Sequence, residues 1–283
     1  MTESGEIYRT SLLARITTLL AVSGLLAMQG GPARADPDVV LPSVARVMRA
    51  VCGHAVAEEA RTCRMKDGRI AEYWYGAMFA ADQGWAVGFA TLPAPDQDPQ
   101  APDARTLVAA TFAQTQAEGR IGWVFKDVQT LPGRIGTGNR NGDAPEVDDS
   151  LGPVFRPLPG GRLVMGLRTT AFGNQGSQSF AFLVLRFTPA PLQWRLSGGL
   201  AAGSDDTAGC GAPEDGPCNL GASTGRLEIL AGAAARDSGA PPAWPPLRVT
   251  LTGTVPGPDG KVRPATARDA RTYRFDEAAG VYR

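Results

Sequence analysis

The stretch Arg162–Phe187 reads RLVMGLRTTAFGNQGSQSFAFLVLRF. Two apolar runs flank a centre of Gly, Asn, Gln and Ser. Along a strand, alternate side chains fall on opposite faces. In Arg162–Arg168 this puts Leu163, Met165 and Leu167 together; in Phe180–Phe187 it groups Ala181, Leu183, Leu185 and Phe187. If the runs pair, these faces bury against one another, at about 1.5–3 kcal/mol per large side chain as an upper value. The opposite face carries Arg168 and Arg186 beside Phe180 and Phe182, so it is only half polar. Gly173 and Gly176 suit an irregular turn between the runs, because Gly takes positive φ without a steric penalty.

The rest of the chain repeats this grammar. Tyr73, Tyr75, Ala77 and Phe79 alternate with Glu72, Trp74, Gly76 and Met78, and both sets are largely apolar, as in a strand covered on both sides. Further strands are expected at 85–92, 106–112, 120–128, 192–196, 226–230, 247–255 and 271–275. One helix stands out, Ser43–Cys52, where Val44, Val47, Met48 and Val51 follow the i, i+3, i+4, i+7 stripe. Pro42 and Ser43 suit its start and Gly53 its end. Gly (35) and Pro (23) make up about a fifth of the 283 residues, which disfavours further long helices. The expected fold is all-β, a sandwich, barrel or partial propeller-like body with one short N-terminal helix. It occupies residues 36–283 as a single β-rich domain, with long loops near 93–105, 131–153 and 198–225.

Residues 1–35 have the form of a secretory signal peptide. Arg9 and Arg15 precede the apolar core Ile16–Met28, and Ala33-Arg34-Ala35 fits small-x-small cleavage, leaving Asp36 as the new N-terminus. The core is shorter than the roughly 20 residues of a spanning helix. The implied location is periplasmic or secreted, with no membrane span after cleavage. Only Lys66, Lys126 and Lys261 are lysines among 28 basic residues, a bias typical of a high-GC bacterial coding sequence. The formal net charge is +0, and removing residues 1–35 leaves about −1. No basic field exists to attract nucleic acid.

Four cysteines in two close pairs suit an exported chain with two disulfides. Three connectivities are possible; 52–63 and 210–218 close the shortest loops, each worth roughly 2–3 kcal/mol in the chain-entropy account. Neither Cys52/Cys63 nor Cys210/Cys218 has zinc-site spacing.

Catalytic patterns fail on context. Gly221-Ala222-Ser223-Thr224-Gly225 matches G-x-S-x-G, but a nucleophile elbow needs a strand before the Ser, a helix after it and a later His. The single histidine, His54, lies upstream; beside the helix C-terminus its expected role is capping. Two acidic loops offer oxygen ligands of the kind Ca²⁺ takes. In the first, with Asn139, Asn141, Asp143, Asp148 and Asp149, Gly142 falls where a calcium loop turns, but Thr137 replaces the leading carboxylate and Asp148 the closing Glu. In the second, Asp205, Asp206, Glu214 and Asp215 are the candidate Ca²⁺ ligands and, alternatively, the candidate catalytic carboxylates. Trp74, Trp85, Trp123 and Trp194 form either a sugar-stacking platform or buried core. No cofactor is implied.

Two functional expectations follow. The first is an exported, non-enzymatic binding or accessory protein of the cell envelope, whose partner is an envelope protein or a small ligand. The alternative is a periplasmic hydrolase using a carboxylate pair, acting on carbohydrate.

Overall fold

The computed structural model describes residues 40–93, 104–117, 120–136, 138, 143–173, 176–210, 220–231 and 243–283. The helix α1 (Val44–Cys52) precedes β1 (Thr62–Arg64), β2 (Ile70–Ala80), β3 (Gly84–Pro93), β4 (Arg105–Ala117) and β5 (Arg120–Thr130). These strands form one antiparallel sheet in chain order. Then come β6 (Glu146–Val147), β7 (Val154–Leu158), β8 (Arg162–Phe172), β9 (Gln178–Pro189) and β10 (Leu192–Asp205). They make a second sheet in the order β10–β9–β8, with β6 and β7 both pairing with β8. A third sheet contains β11 (Ser223–Ile229), β12 (Leu247–Pro256), β13 (Val262–Pro264) and β14 (Arg271–Tyr273). A hairpin of β15 (Phe275–Asp276) and β16 (Val281–Tyr282) ends the chain.

The β8–β9 pair has the register its apolar pattern requires. Leu163 faces Phe187, Met165 faces Leu185 and Leu167 faces Leu183. All six are buried, and they pack against Phe79, Trp85, Val87, Phe89 and Leu107 of the first sheet. Trp194 lies at the centre of this layer, 4.9 Å from Phe187, 5.5 Å from Phe89 and 5.6 Å from Phe79 between ring centroids. Its indole N–H donates to Thr111 Oγ1 at 3.0 Å. Gln129 ties the two sheets at their margin. Its amide donates to Leu192 O at 3.0 Å and accepts from Trp194 N at 2.7 Å.

The other face of the first sheet is closed by α1. Val47, Met48 and Val51 pack on Ala86, Ala90, Val108, Ala110 and Phe112. Ser43 Oγ caps the helix start, and Gly53 ends it at φ 73°. The alanines and Gly88 let the helix come close: a Cβ on Gly88 would stand 2.4 Å from Val47. The disulfide Cys52–Cys63 fastens the helix end to β1. Cys210 is also disulfide-bonded, and Cys218 lies outside the described residues. The signal-like residues 1–35 lie outside them as well. No helix among the described residues is long and apolar enough to cross a membrane.

The other face of the second sheet is covered, where its two arginines suggest partial exposure. Val164, Phe182, Val184 and Leu200 pack under Leu227, Leu247 and Val249 of the third sheet. Leu227 sits on Gly166, where a Cβ would come within 2.2 Å of it. Arg168 and Arg186 are therefore buried, at 8% and 7% exposure. Arg168 stacks over Phe180 at 4.6 Å and reaches Asp148 at 3.7 Å. Arg186 donates to Ser197 Oγ at 2.7 Å and stacks over Phe275 at 3.8 Å and Trp244 at 4.6 Å. Desolvation pulls its pKa down to about 10, so burial works against its charge. Arg162 also stacks on Trp244, at 4.7 Å.

Two local expectations change. The segment from Gly198 is strand rather than loop as far as Asp205, because β10 absorbs its glycines at register shifts between Leu196 and Gly199 and between Ala201 and Ser204. Gly198 and Gly203 take φ 106° and 109°, values that suit Gly. Within 131–153, β6 and the isolated bridge Arg105–Ile135 supply pairing. The edge strand β5 exposes Val124, Phe125 and Val128. It is interrupted by a bulge that leaves Lys126 unpaired between Phe125 and Asp127. A bulge with a lysine on an edge discourages further strand addition.

Candidate functional site

The alternation in β2 breaks at Trp74. Tyr73 pairs with Ala90 and Tyr75 with Phe89, so Trp74 is the extra residue of a bulge. Before the bulge, Ala71 and Tyr73 face α1; after it, Tyr75, Ala77 and Phe79 face the inter-sheet core. Tyr73 and Tyr75 therefore do not share a face, as uninterrupted alternation would require. The bulge also turns Trp74 toward the second sheet. A bulge that re-aims one side chain is a recurrent feature beside binding sites.

Two recesses meet at Trp74. Its indole N–H donates to Pro145 O at 2.8 Å, which fixes the ring, and both residues line both recesses. The first recess, about 370 Å3, is walled by Trp74, Tyr73 and Phe172, with Glu72, Asp143 and Glu146 on its rim. The second, about 230 Å3, lies between the sheets and is lined by Ile135, Leu183, Leu196, Ala181, Thr169 and Gly199. Arg134 lies at its margin. Together they reach the size range of small-molecule sites. Phe172 is 38% exposed, a large apolar side chain left at the rim.

The electrostatics around the first recess lean negative. Glu72 pairs with Arg105 at 3.3 Å. Glu146 has no ion-pair partner among the described residues. The phenols stay neutral: burial, followed by the Asp149 charge, pushes Tyr75 up to about 12. Burial likewise raises Tyr73, whose ring carries Arg61 at 4.9 Å.

The sequence-derived candidates are dispersed. Ser223 lies in β11, 8% exposed, and its Oγ accepts from Ser204 N at 3.3 Å. His54 follows α1, on the outer side of the first sheet, whereas β11 lies on the outer side of the second; two sheets separate them. Both His54 ring nitrogens contact backbone carbonyls, of Arg64 and Ala55, and these raise its pKa by favouring the imidazolium. The carboxylate of Asp205 accepts from Thr207 N and Oγ1, which lowers its pKa. Asp206 accepts from Ser204 Oγ at 3.3 Å. Glu214 and Asp215 lie outside the described residues, as do Asn139 and Asn141. Asp148 turns back on Ser150, while Asp143 reaches the first recess. Trp85, Trp123 and Trp194 are buried core residues, with indole N–H groups on Asp82, Val40 O and Thr111. Trp74 lines both of these recesses while the other three candidate tryptophans are buried in the core, so among the described residues they form no shared platform. No sequence signal marks Trp74 apart from the others, because its orientation depends on the pairing partner of its strand.

The chain matches no protein-family model, and neither curated proteins nor solved structures show significant similarity to it. The geometry defines an antiparallel β protein with a small amphipathic cleft between two of its sheets.

Proposed function

We propose that this is an exported, non-enzymatic binding protein of the cell envelope, and that its ligand is a small amphipathic molecule held at Trp74. One observation carries the reading: a strand bulge aims a locked indole between an apolar recess and an aromatic, acid-rimmed one. A rigid aromatic with its polar atom already satisfied offers contact area at little ordering cost. The hydrolase alternative has less support, since the described carboxylates Asp205 and Asp206 are engaged within their own turn. The cleft does hold Glu72, Asp143 and Glu146, but Glu72 is engaged by Arg105 at 3.3 Å and Glu146 is an exposed rim group.

A neutral naphthylamine probe titrated into the mature protein tests the cleft. Saturable binding is expected, weakened by about tenfold or more in Trp74→Ala. Gly199→Leu provides an independent variant: Gly199 lines the apolar recess and has open space where a Cβ would stand, so a larger side chain there is expected to obstruct the recess. Unchanged affinity in both folded variants would refute the assignment.

Export rests on residues 1–35 and on the Cys52–Cys63 disulfide, which suits an oxidising compartment. N-terminal sequencing of protein recovered from a bacterial envelope fraction is expected to begin at Asp36. Recovery of the intact chain from the cytoplasm would reject it.

A further inference from the structure

The third sheet borders a recess of its own, about 410 Å3, which shares no lining residue with the two at Trp74. Its origin is a gap in strand pairing. β14 pairs with β12 at Leu247, Arg248 and Val249, and β13 pairs with it at Thr254, Val255 and Pro256. Between β13 and β14 the chain bows through a short 3₁₀ turn, Ala267–Asp269. Asp269 holds the bow in shape. Its carboxylate accepts from Thr266 N and Oγ1 at 2.8 and 3.0 Å, and from the two terminal nitrogens of Arg263 at 2.8 and 2.6 Å.

Val249, Leu251 and Val255 give the recess an aliphatic wall, and Arg268 and Arg271 line it beside the bow. The acidic lining residue, Asp269, is already matched by Arg263. Arg268 and Arg271 have no carboxylate partner among the described residues, so the charge left over is positive. Ser223 also lines the recess, at 8% exposure. Its Oγ accepts from Ser204 N at 3.3 Å, while its own O–H proton has no acceptor among the described residues. Guanidinium groups and a spare hydroxyl donor call for an acceptor-bearing anion, and the guanidinium fork matches a carboxylate best. Independently of the reading at Trp74, we propose that this recess binds a second ligand, an amphipathic anion with a carboxylate head and a short aliphatic body. Arg268 and Arg271 supply the charge that selects the head, and the wall of β12 takes the body. The volume lies within the range of small-molecule sites.

Three probes with one tail test the assignment: octanoate, octyltrimethylammonium and octyl glucoside, each titrated calorimetrically into the mature protein below its micelle concentration. Octanoate is expected to bind about tenfold more tightly than the other two. Arg268→Gln and Arg271→Gln, both at exposed residues, are each expected to weaken octanoate about threefold or more and to leave the glucoside unchanged. Raising the salt concentration is expected to reduce only the anion's advantage. Trp74→Ala is expected to leave octanoate binding unchanged, which separates this site from the cleft. Equal affinity for the three heads, or a preference for the cation, would overturn the assignment. Octanoate binding that ignores both arginine variants, or that is lost in Trp74→Ala, would overturn it as well. Failure of octanoate to bind would overturn it while leaving the Trp74 reading to its own probe.

Discussion

Trp194→Ala is expected to destabilise the protein by about 3–5 kcal/mol, read as a shift in the urea midpoint with little change in slope. The side chain is 1% exposed and touches both sheets. Removing it leaves a void among Phe79, Phe89 and Phe187, whose rings are held by opposite sheets and are poorly placed to collapse inward. The variant also strips the donor from Thr111 Oγ1, a side chain with 0% exposure. Trp194→Phe separates the terms. It keeps most of the volume and loses the N–H, so a smaller cost of about 1–2 kcal/mol is expected. If Trp194→Ala lost less than about 1 kcal/mol, the two-sheet core would not be the principal packing unit.

Trp244→Ala is expected to cost about 2–4 kcal/mol and to loosen the C-terminal hairpin selectively. Trp244 carries the guanidinium groups of both Arg162 and Arg186, which stand 4.7 and 4.6 Å from its centroid. Among the described residues, Arg186 forms no salt bridge with a carboxylate. Arg186 instead stacks on Phe275 and approaches Gly280 O at 3.5 Å. Without the indole, two buried guanidinium groups lose the ring they stack on. The hairpin is closed by reciprocal bonds between Arg274 and Arg283, 2.8 and 3.0 Å. Their amides are expected to exchange faster in the variant, while those of β8 and β9 keep their protection. Uniform loss of protection would point instead to global destabilisation. Unchanged exchange with unchanged stability would show that the stack contributes nothing.

Much of the fold was legible in short apolar patterns. Leu163, Met165 and Leu167 against Leu183, Leu185 and Phe187 specify both a pairing and the face that buries in the inter-sheet core, since a one-residue slip would turn one strand's three away from it. The Val44–Val51 stripe, the Ser43 cap and the Cys52–Cys63 spacing specify a short helix fastened to a nearby strand. What failed to show in the sequence depends on distant partners. Arg168 and Arg186 made their face read as only half polar, because alternation alone gives no sign that Leu227 and Leu247 will cover it. The continuation of β10 past Gly198 was hidden because glycines that mark turns also mark bulges. Trp74 fell to the wrong face for the same reason: nothing local distinguishes a bulged strand from a regular one. The candidate site was illegible because it depends on that single displaced residue. The acidic loops were visible as composition. Of their residues, Asp143 reaches the cleft, brought there by the loop leading into β6.

The central claim is that ligand meets this protein at the indole of Trp74. The most direct measurement is the set of five tryptophan indole N–H resonances in a ¹⁵N-labelled sample, followed during titration with the neutral naphthylamine probe. The account predicts a saturable shift of the Trp74 resonance, whose proton lies on Pro145 O at the junction of the recesses, with Trp194 and Trp244 unmoved. A stationary Trp74 resonance while the probe binds, or a shift confined to Trp244, would contradict it.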